Sequence, residues 1–435
     1  MKIQNNFKIA ANYLQIKDLK ANNKNMKKYT EQEISITAKV LKRFGVVLPV
    51  IIDKSKQVVL GDHLIHAADK LGLSEVPTIE ITHLSEAEIQ MFALAMNKIL
   101  MMGELQLEDF KIDIQNWLFD TTFEITPEEL GFSSIEMDNL LFALDVALPE
   151  AEVQELKNLA KVPRVVKKGD LIQLGRHRLY CADALQAENY KTLLGEEIAD
   201  IIITDPPYNV KIEGNVTKRK QHKEFAQASG EMTQSEFTEF LNKSAKNLAA
   251  YSKKGSVHYL FMDWKHISEI QNACKDAYNK LLNICVWNKK RGGMGSFYRS
   301  QHEFCFVYQN GPGTHNNNIN LGKNGRNRTN VWDYTGMNIS NNQSKKLGYL
   351  HPTVKPLAML VDILLDASNY GDIVLDCFGG SGSTLMAAQQ CGRRARIIEI
   401  SPEYCDVIIY RWEELTKQKH IILNLSLIHI SEPTR

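Results

Sequence analysis

Apolar positions in the first hundred residues switch between a helical and a strand period. Residues 31–44 read as a helix, 46–52 as a strand, and 58–60 as a second short strand ended by Gly61. Residues 63–71 read as a helix stopped by Gly72, 76–81 as a third strand, and 85–96 again carry apolar residues at helical spacing. Residues 105–145 are mostly helical and acidic in pattern, and the Pro- and Lys-bearing stretch 148–168 reads as a linker. From Gly169 onward, short apolar runs alternate with helical stretches, the pattern of an open, mainly parallel α/β sheet. The expected layout is a small α+β domain over 1–105, a helical segment and linker over 106–168, and an α/β domain over 169–424.

Composition narrows the class. The 435 residues suffice for two or three domains, and 44% hydrophobic with 24% charged residues is ordinary for a globular protein. No apolar run approaches the roughly 18 residues that a membrane span needs, and the polar start of the chain lacks a signal-peptide core, so no membrane association is expected. Seven scattered cysteines without a Cys-x-x-Cys pair predict neither a metal site nor a disulfide framework and fit a reducing cytoplasm. Residues 425–435 match the translation of a transposon-based sequencing-library adapter and are expected not to be native protein.

Two segments carry the candidate chemistry. The run Ile201-Ile202-Ile203-Thr204 leads into Asp205-Pro206-Pro207-Tyr208. An exocyclic amine on a nucleobase is a poor nucleophile, because its lone pair is delocalised into the ring. Asp205 offers a carboxylate that accepts from the NH2 group. The carbonyl of Pro206 offers a second acceptor in a turn fixed by Pro206 and Pro207, and Tyr208 a flat face for the base. Such chemistry needs the base out of the duplex. Further on, Ile373-Val374-Leu375 leads into Asp376-Cys377-Phe378-Gly379-Gly380-Ser381-Gly382-Ser383-Thr384, a strand, a glycine-rich turn and a helix start. Glycines allow the backbone close to a ligand, and an acid ending the next strand, here Glu399, typically binds ribose hydroxyls. The pair of motifs points to a nucleoside cofactor.

With these motifs in this order, the chain resembles the amino-DNA methyltransferases of the β-type order, N6-adenine and N4-cytosine, from about Gly169 to Lys417. The likeness includes His177 to Asp183, Thr204 to Asn209, Trp287-Asn288-Lys289 with His302-Glu303, His351-Pro352-Thr353-Val354-Lys355-Pro356, the glycine loop and Glu399 to Tyr404. The resemblance implies a class I S-adenosylmethionine-dependent methyltransferase, an α/β/α sandwich with a seven-stranded, mainly parallel sheet. It implies base binding by Asp205, Pro206 and Tyr208, and a methionine cradle of Phe378, Gly379, Gly380 and Gly382. It further places Glu399 on the ribose and Asp183 on the adenine edge, with Thr353 and Lys355 closing over the cofactor. The Asp form of the first motif leans towards adenine N6. Cytosine N4, RNA, and a DNA-binding module with an inactive methylase half remain as rivals. Residues 48–98 resemble a ParB/sulfiredoxin-like domain of the kind fused to phage and prophage methyltransferases. Its arginine box reads Gly61-Asp62-His63-Leu64-Ile65-His66 here, so nucleotide binding is not expected.

The net charge is only +1, so a nucleic-acid surface has to be local. Between residues 286 and 330, Lys289, Lys290, Arg291, Arg299, Lys323, Arg326 and Arg328 face a single acid, Glu303, and Lys218, Arg219 and Lys220 follow the first motif. Apart from Lys323, these residues are the expected contacts to double-stranded DNA, with an Asn-rich target-recognition segment at about 309–350. The resemblance also admits a homodimer and a separate restriction endonuclease.

Overall fold

In the computed structural model, the residues described are 10–20, 29–100, 125–142, 162–210, 228–290, 292, 297–335 and 355–423. Lys218, Arg219, Lys220, Arg291, Thr353, residues 336–350 of the recognition segment and the adapter-like tail lie outside them. The chain divides into two compact units, Met1–Ala143 and Leu144–Arg435.

The first unit is a small α+β fold. Its strands β1 (Asn12–Gln15), β2 (Val50–Asp53), β3 (Val58–Leu60) and β4 (Glu75–Ile81) form one sheet in the order β1-β4-β2-β3. Helix α1 (Glu31–Phe44) starts in a capping box, in which Thr30 and Glu33 satisfy each other's backbone N–H groups. It and α2 (Asp62–Lys70) bury Ala38, Leu41, Leu64, Ala67 and Ala68 against Val50, Ile52, Val58 and Val76. Helices α3 (Glu86–Leu100) and α4 (Ser134–Phe142) complete the unit. The strand expected from residue 46 begins only at Val50, where pairing to β4 starts, and Val47 and Leu48 stay exposed.

The second unit is built on one ten-stranded sheet. Its strands are β5 (Leu171–Leu174), β6 (His177–Cys181), β7 (Ala199–Thr204), β8 (Ser252–Met262), β9 (Lys280–Asn288), β10 (His302–Gln309), β11 (Val331–Asp333), β12 (Ile373–Asp376), β13 (Arg394–Glu399) and β14 (Ile421–Leu423). They run in the order β11-β9-β10-β8-β7-β12-β13-β6-β5-β14. The central strands β8, β7, β12, β13 and β6 are parallel to one another, and β10 pairs antiparallel with both β8 and β9. The seven strands from β6 to β9 are the expected sheet. β11 extends it at one end, and the antiparallel strands β5 and β14 at the other.

Both faces of the sheet are covered, as the continuous apolar strands require. On one face, α5 (Ala187–Leu194) packs Tyr190, Leu193 and Leu194 with Ile202, Leu375 and Ile398. Along that face, α6 (Gln234–Ala250) and α7 (Ile267–Cys274) pack on Leu260, Met262, Phe306 and Tyr308. The alternate residues Ile201, Ile203, Val374 and Ile397 are buried as well. Helices α8 (Leu357–Ala367), α9 (Ser383–Gln390) and α10 (Pro402–Thr416) contribute further buried apolar residues. No helix among the described residues is long and apolar enough to cross a membrane, and all seven cysteines are free and buried.

Candidate active site

Five parallel strands deliver their C-terminal ends to one edge of the sheet, where open α/β sheets form their ligand crevices. β7 ends at Asp205, β12 at the glycine loop, β13 at Glu399, β6 just before Asp183, and β8 just before Asp263. The two sequence motifs, far apart in the chain, are therefore side by side. Thr204 Oγ1 donates to Asp376 Oδ1 at 2.9 Å and ties the two strand ends together.

Asp376 organises the glycine loop from inside. Its carboxylate also accepts from Thr384 Oγ1 at 2.7 Å and from the Phe378 N–H at 3.1 Å, and burial pushes its pKa up to about 7. Expected among the cofactor residues, Asp376 is spent within the protein, and Ser381, Ser383 and Thr384 are buried too. Gly382 has φ +83°, and a Cβ there would meet Ile408 of α10 at 2.8 Å, so this turn requires glycine. Arg411 of α10 is buried and donates to the Ser381 carbonyl at 2.7 Å.

Glu399 bonds the glycine loop, and Asp183 follows the neighbouring strand end. Gly380 N–H donates to Glu399 Oε2 at 2.7 Å and Ser401 N–H to Oε1 at 2.8 Å, and the Ile400 backbone adds a third hydrogen bond. Burial raises Glu399 to about 7 against these hydrogen bonds, and the charge of Asp376 adds to the rise. Asp183 Oδ1 caps the N–H of Leu185 at 2.9 Å. Two carboxylate acceptors following neighbouring strand ends, a glycine backbone and the half-buried Phe378 ring together fit a ribose, an amino-substituted ring and an apolar chain.

The Asp205–Tyr208 turn is held on both sides. Asn209, at φ +52°, accepts from the N–H groups of Gly230 and Met232 at 3.0 and 3.2 Å and returns a bond to the Met232 carbonyl. Tyr208 Oη donates to Asp205 Oδ1 at 2.6 Å, and its ring packs on the α6–α7 core. Burial first, then the charge of Asp205, raises the pKa of Tyr208, so the phenol stays a neutral donor.

Charges of alternating sign line the pocket behind Asp205. Lys355 Nζ lies 2.5 Å from Asp205 Oδ2 and 3.1 Å from Glu303 Oε2, and Lys289 is ion-paired to Glu303 Oε1. Burial pushes both carboxylates up. Glu303 touches two ammonium groups, which reverse the effect and bring it down to about 2. Asp205 has one cation and faces the Glu303 charge, so burial leaves it raised. Burial lowers Lys355, but its two carboxylates outweigh this and raise it.

This quartet departs from the sequence expectation in two places. Lys355, expected over the cofactor, is bound to the carboxylate of Asp205. Lys289, expected on DNA, is turned inward to Glu303. Glu303 stood in the sequence as the single acid of a basic stretch and as part of the His302-Glu303 motif, with no role given and no signal of its pairing. The DNA-binding expectation for Arg326 and Arg328 also needs correction. Arg326 reaches Asp362 at 2.8 Å and Asp366 at 2.9 Å, and Arg328 reaches the same two acids at 3.2 and 3.0 Å. Both guanidinium groups are largely buried, and they anchor this loop on α8 rather than meeting phosphates. Lys290 pairs with the exposed Asp333, and Arg299 donates to the Gly292 carbonyl.

Residues 199–410 match the N6/N4 methyltransferase family model, described as DNA methylase. The type II methyltransferase M.HpaI of Haemophilus parainfluenzae is 27% identical over 244 residues, 53% of this chain and 72% of its own. The DNA adenine methyltransferase YhdJ of Escherichia coli K12 is 27% identical over 265 residues, 51% of this chain and 82% of its own. A solved structure of truncated ParB from Caulobacter crescentus with CTP-gamma-S is 21% identical, covers 33% of this chain and 82% of that one, and has a TM-score of 0.27.

Proposed function

We propose that this chain, a DNA methyltransferase of the N6/N4 family, transfers a methyl group from S-adenosylmethionine to the N6 of an adenine flipped out of duplex DNA. The observation that carries the reading is the adjacency of Asp205 and the glycine loop on paired parallel strands, joined by the Thr204–Asp376 hydrogen bond of 2.9 Å. Asp205 and the Pro206 carbonyl accept from the amino group and turn its lone pair outward, and the Tyr208 ring supports the base. Glu399 and Asp183 accept from the ribose and the adenine edge of the cofactor, and Phe378, Gly379, Gly380 and Gly382 hold its methionine part. When bound, S-adenosylmethionine supplies an electrophilic methyl group on a sulfonium. The chain's own part is alignment, and a direct in-line displacement depends chiefly on that. Adenine is favoured over cytosine by the aspartate at position 205 and by the likeness to an adenine methyltransferase.

Long-read modification sequencing of DNA from cells expressing the chain tests this, with Asp205→Ala as control. Methyl-adenine at one recurring motif, absent in the control, is the expected result. Methyl-cytosine would move the substrate to cytosine N4, and no mark from folded protein would overturn the DNA reading.

The same reading fixes a pH dependence. Glu399 titrates at about 7 through burial, with Asp376 as its nearest charged neighbour. Hydroxyl donors from the cofactor favour the anion, so binding releases a proton. Affinity therefore rises with pH, by at most about tenfold per unit, and levels off above the Glu399 pKa. Calorimetric titration from pH 6 to 8 checks this, and Glu399→Gln should bind more weakly with the Glu399-dependent slope gone.

A further inference from the structure

Both oxygens of Asp205 already have a partner in the arrangement described, so a target amine has to share an oxygen with that partner or displace it. Its Oδ1 takes the Tyr208 hydroxyl at 2.6 Å, and its Oδ2 takes the Lys355 ammonium at 2.5 Å. An ammonium at that distance draws electron density from the oxygen that has to attract the amino hydrogen. It also competes directly for the oxygen's lone pairs.

The surroundings of Lys355 leave it one other seat. The side chain is 5% exposed, and Nζ lies 5.0 Å from the Phe261 ring centre, 5.6 Å from that of Tyr208 and 5.8 Å from that of Trp287. These aromatic faces attract a cation, and of the three residues Tyr208 also accepts a hydrogen bond from Nζ, at 3.3 Å. The second carboxylate within reach is Glu303, at 3.1 Å, and its far oxygen is fixed by Lys289. The ammonium thus sits between two carboxylates, one on the base-gripping turn after β7 and one on β10, with the neutral Tyr208 hydroxyl at 3.3 Å.

We propose that Glu303 is a positioning residue for methyl transfer: it receives the Lys355 ammonium as the target base enters, and so frees Asp205 Oδ2 to accept from the amino group. Lys355 remains paired throughout, so no charge is left stranded in the pocket, which would be costly. Lys289 keeps Glu303 ionised and in place for the exchange. The inference rests on the assignment of Asp205 to the base made above.

The test is a cycle of Glu303→Gln, Lys355→Met and the double variant, with cofactor calorimetry to establish that each protein is folded. In Glu303→Gln the ammonium has Asp205 as its one anionic partner. Its kcat should fall about 100-fold while cofactor affinity is unchanged. Removing the ammonium as well should restore at least tenfold of that loss, because the competitor for Asp205 is gone. A merely structural role predicts the reverse, with the double variant as slow as Glu303→Gln or slower, and that result would overturn the proposal. Should Glu303→Gln fail to fold, Lys355→Met alone decides. A duplex carrying 2-aminopurine next to the target adenine should show a larger fluorescence rise with it than with the unaltered protein, because the neighbour loses its stacking partner when the target leaves the helix, and an equal or smaller rise rejects the idea. Activity surviving in Asp205→Ala would instead sink the base-gripping assignment itself. An inactive Asp205→Ala together with no rescue in the double variant would remove only the exchange.

Discussion

Replacing Asp205 by alanine should lower the rate of methyl transfer by about 10³-fold or more and leave cofactor affinity within about threefold. The first half follows from the chemistry of the amine. Without an acceptor in the plane of the base, the lone pair stays conjugated with the ring and the nucleophile is misaligned. The second half follows from the architecture. Asp205 ends β7, whereas the proposed cofactor contacts Gly380 and Glu399 are bonded to each other across β12 and β13. The variant should also fold, because Lys355 keeps a carboxylate partner in Glu303 at 3.1 Å. Single-turnover assays and calorimetry on the same preparation separate the two quantities. A parallel fall in cofactor affinity would mean that Asp205 supports the loop rather than the base. Asp205→Asn keeps a carbonyl acceptor but gives up the ion pair with Lys355, and should lose less activity than alanine.

The strands and loops that build the site were legible because their signals are local. The run Ile201-Ile202-Ile203 is a doubly buried parallel strand, and Gly379 to Gly382 a turn that tolerates no side chains where it meets β13 and α10. The employment of charged residues was not legible, because it depends on partners distant in sequence. Lys289, Arg326 and Arg328 share one basic stretch and read alike as DNA contacts. Folding pairs Lys289 with Glu303 across β9 and β10, and pairs both arginines with Asp362 and Asp366, one turn apart on α8. Nothing in a basic stretch distinguishes a cation that meets phosphate from one that meets a folded acid. The pairing of Lys355 was hidden for the same reason: it lies 150 positions from the Asp205 carboxylate that holds it. The extra strands β5, β11 and β14 are four, three and three residues long, too short for alternation to reveal them.

Two glycines bracket β13, and they should separate cofactor binding from stability. A Cβ on Gly379 would come 2.4 Å from Ile397 Cγ2 and 3.4 Å from Glu399 Cβ. Ile397 is β-branched and fully buried, so the clash cannot be relieved at that side chain, and the loop has to lift. Lifting breaks the Gly379 N–H bond to the Ile398 carbonyl at 2.9 Å and the Gly380 N–H bond to Glu399 at 2.7 Å. Gly379→Ala should therefore weaken cofactor binding by at least about tenfold and cost about 1–3 kcal/mol of stability. Gly392, before the other end of β13, is at φ +69°, and its Cβ would strike the Tyr370 ring at 2.1 Å. Gly392→Ala should cost at least as much stability, yet bind cofactor normally once folded, because no cofactor-facing group depends on it. Urea denaturation and calorimetry on both variants test the contrast. Equal losses of affinity in the two would mean that any strain on β13 disturbs the site, and the specific role of the Gly379–Ile398 contact would be lost.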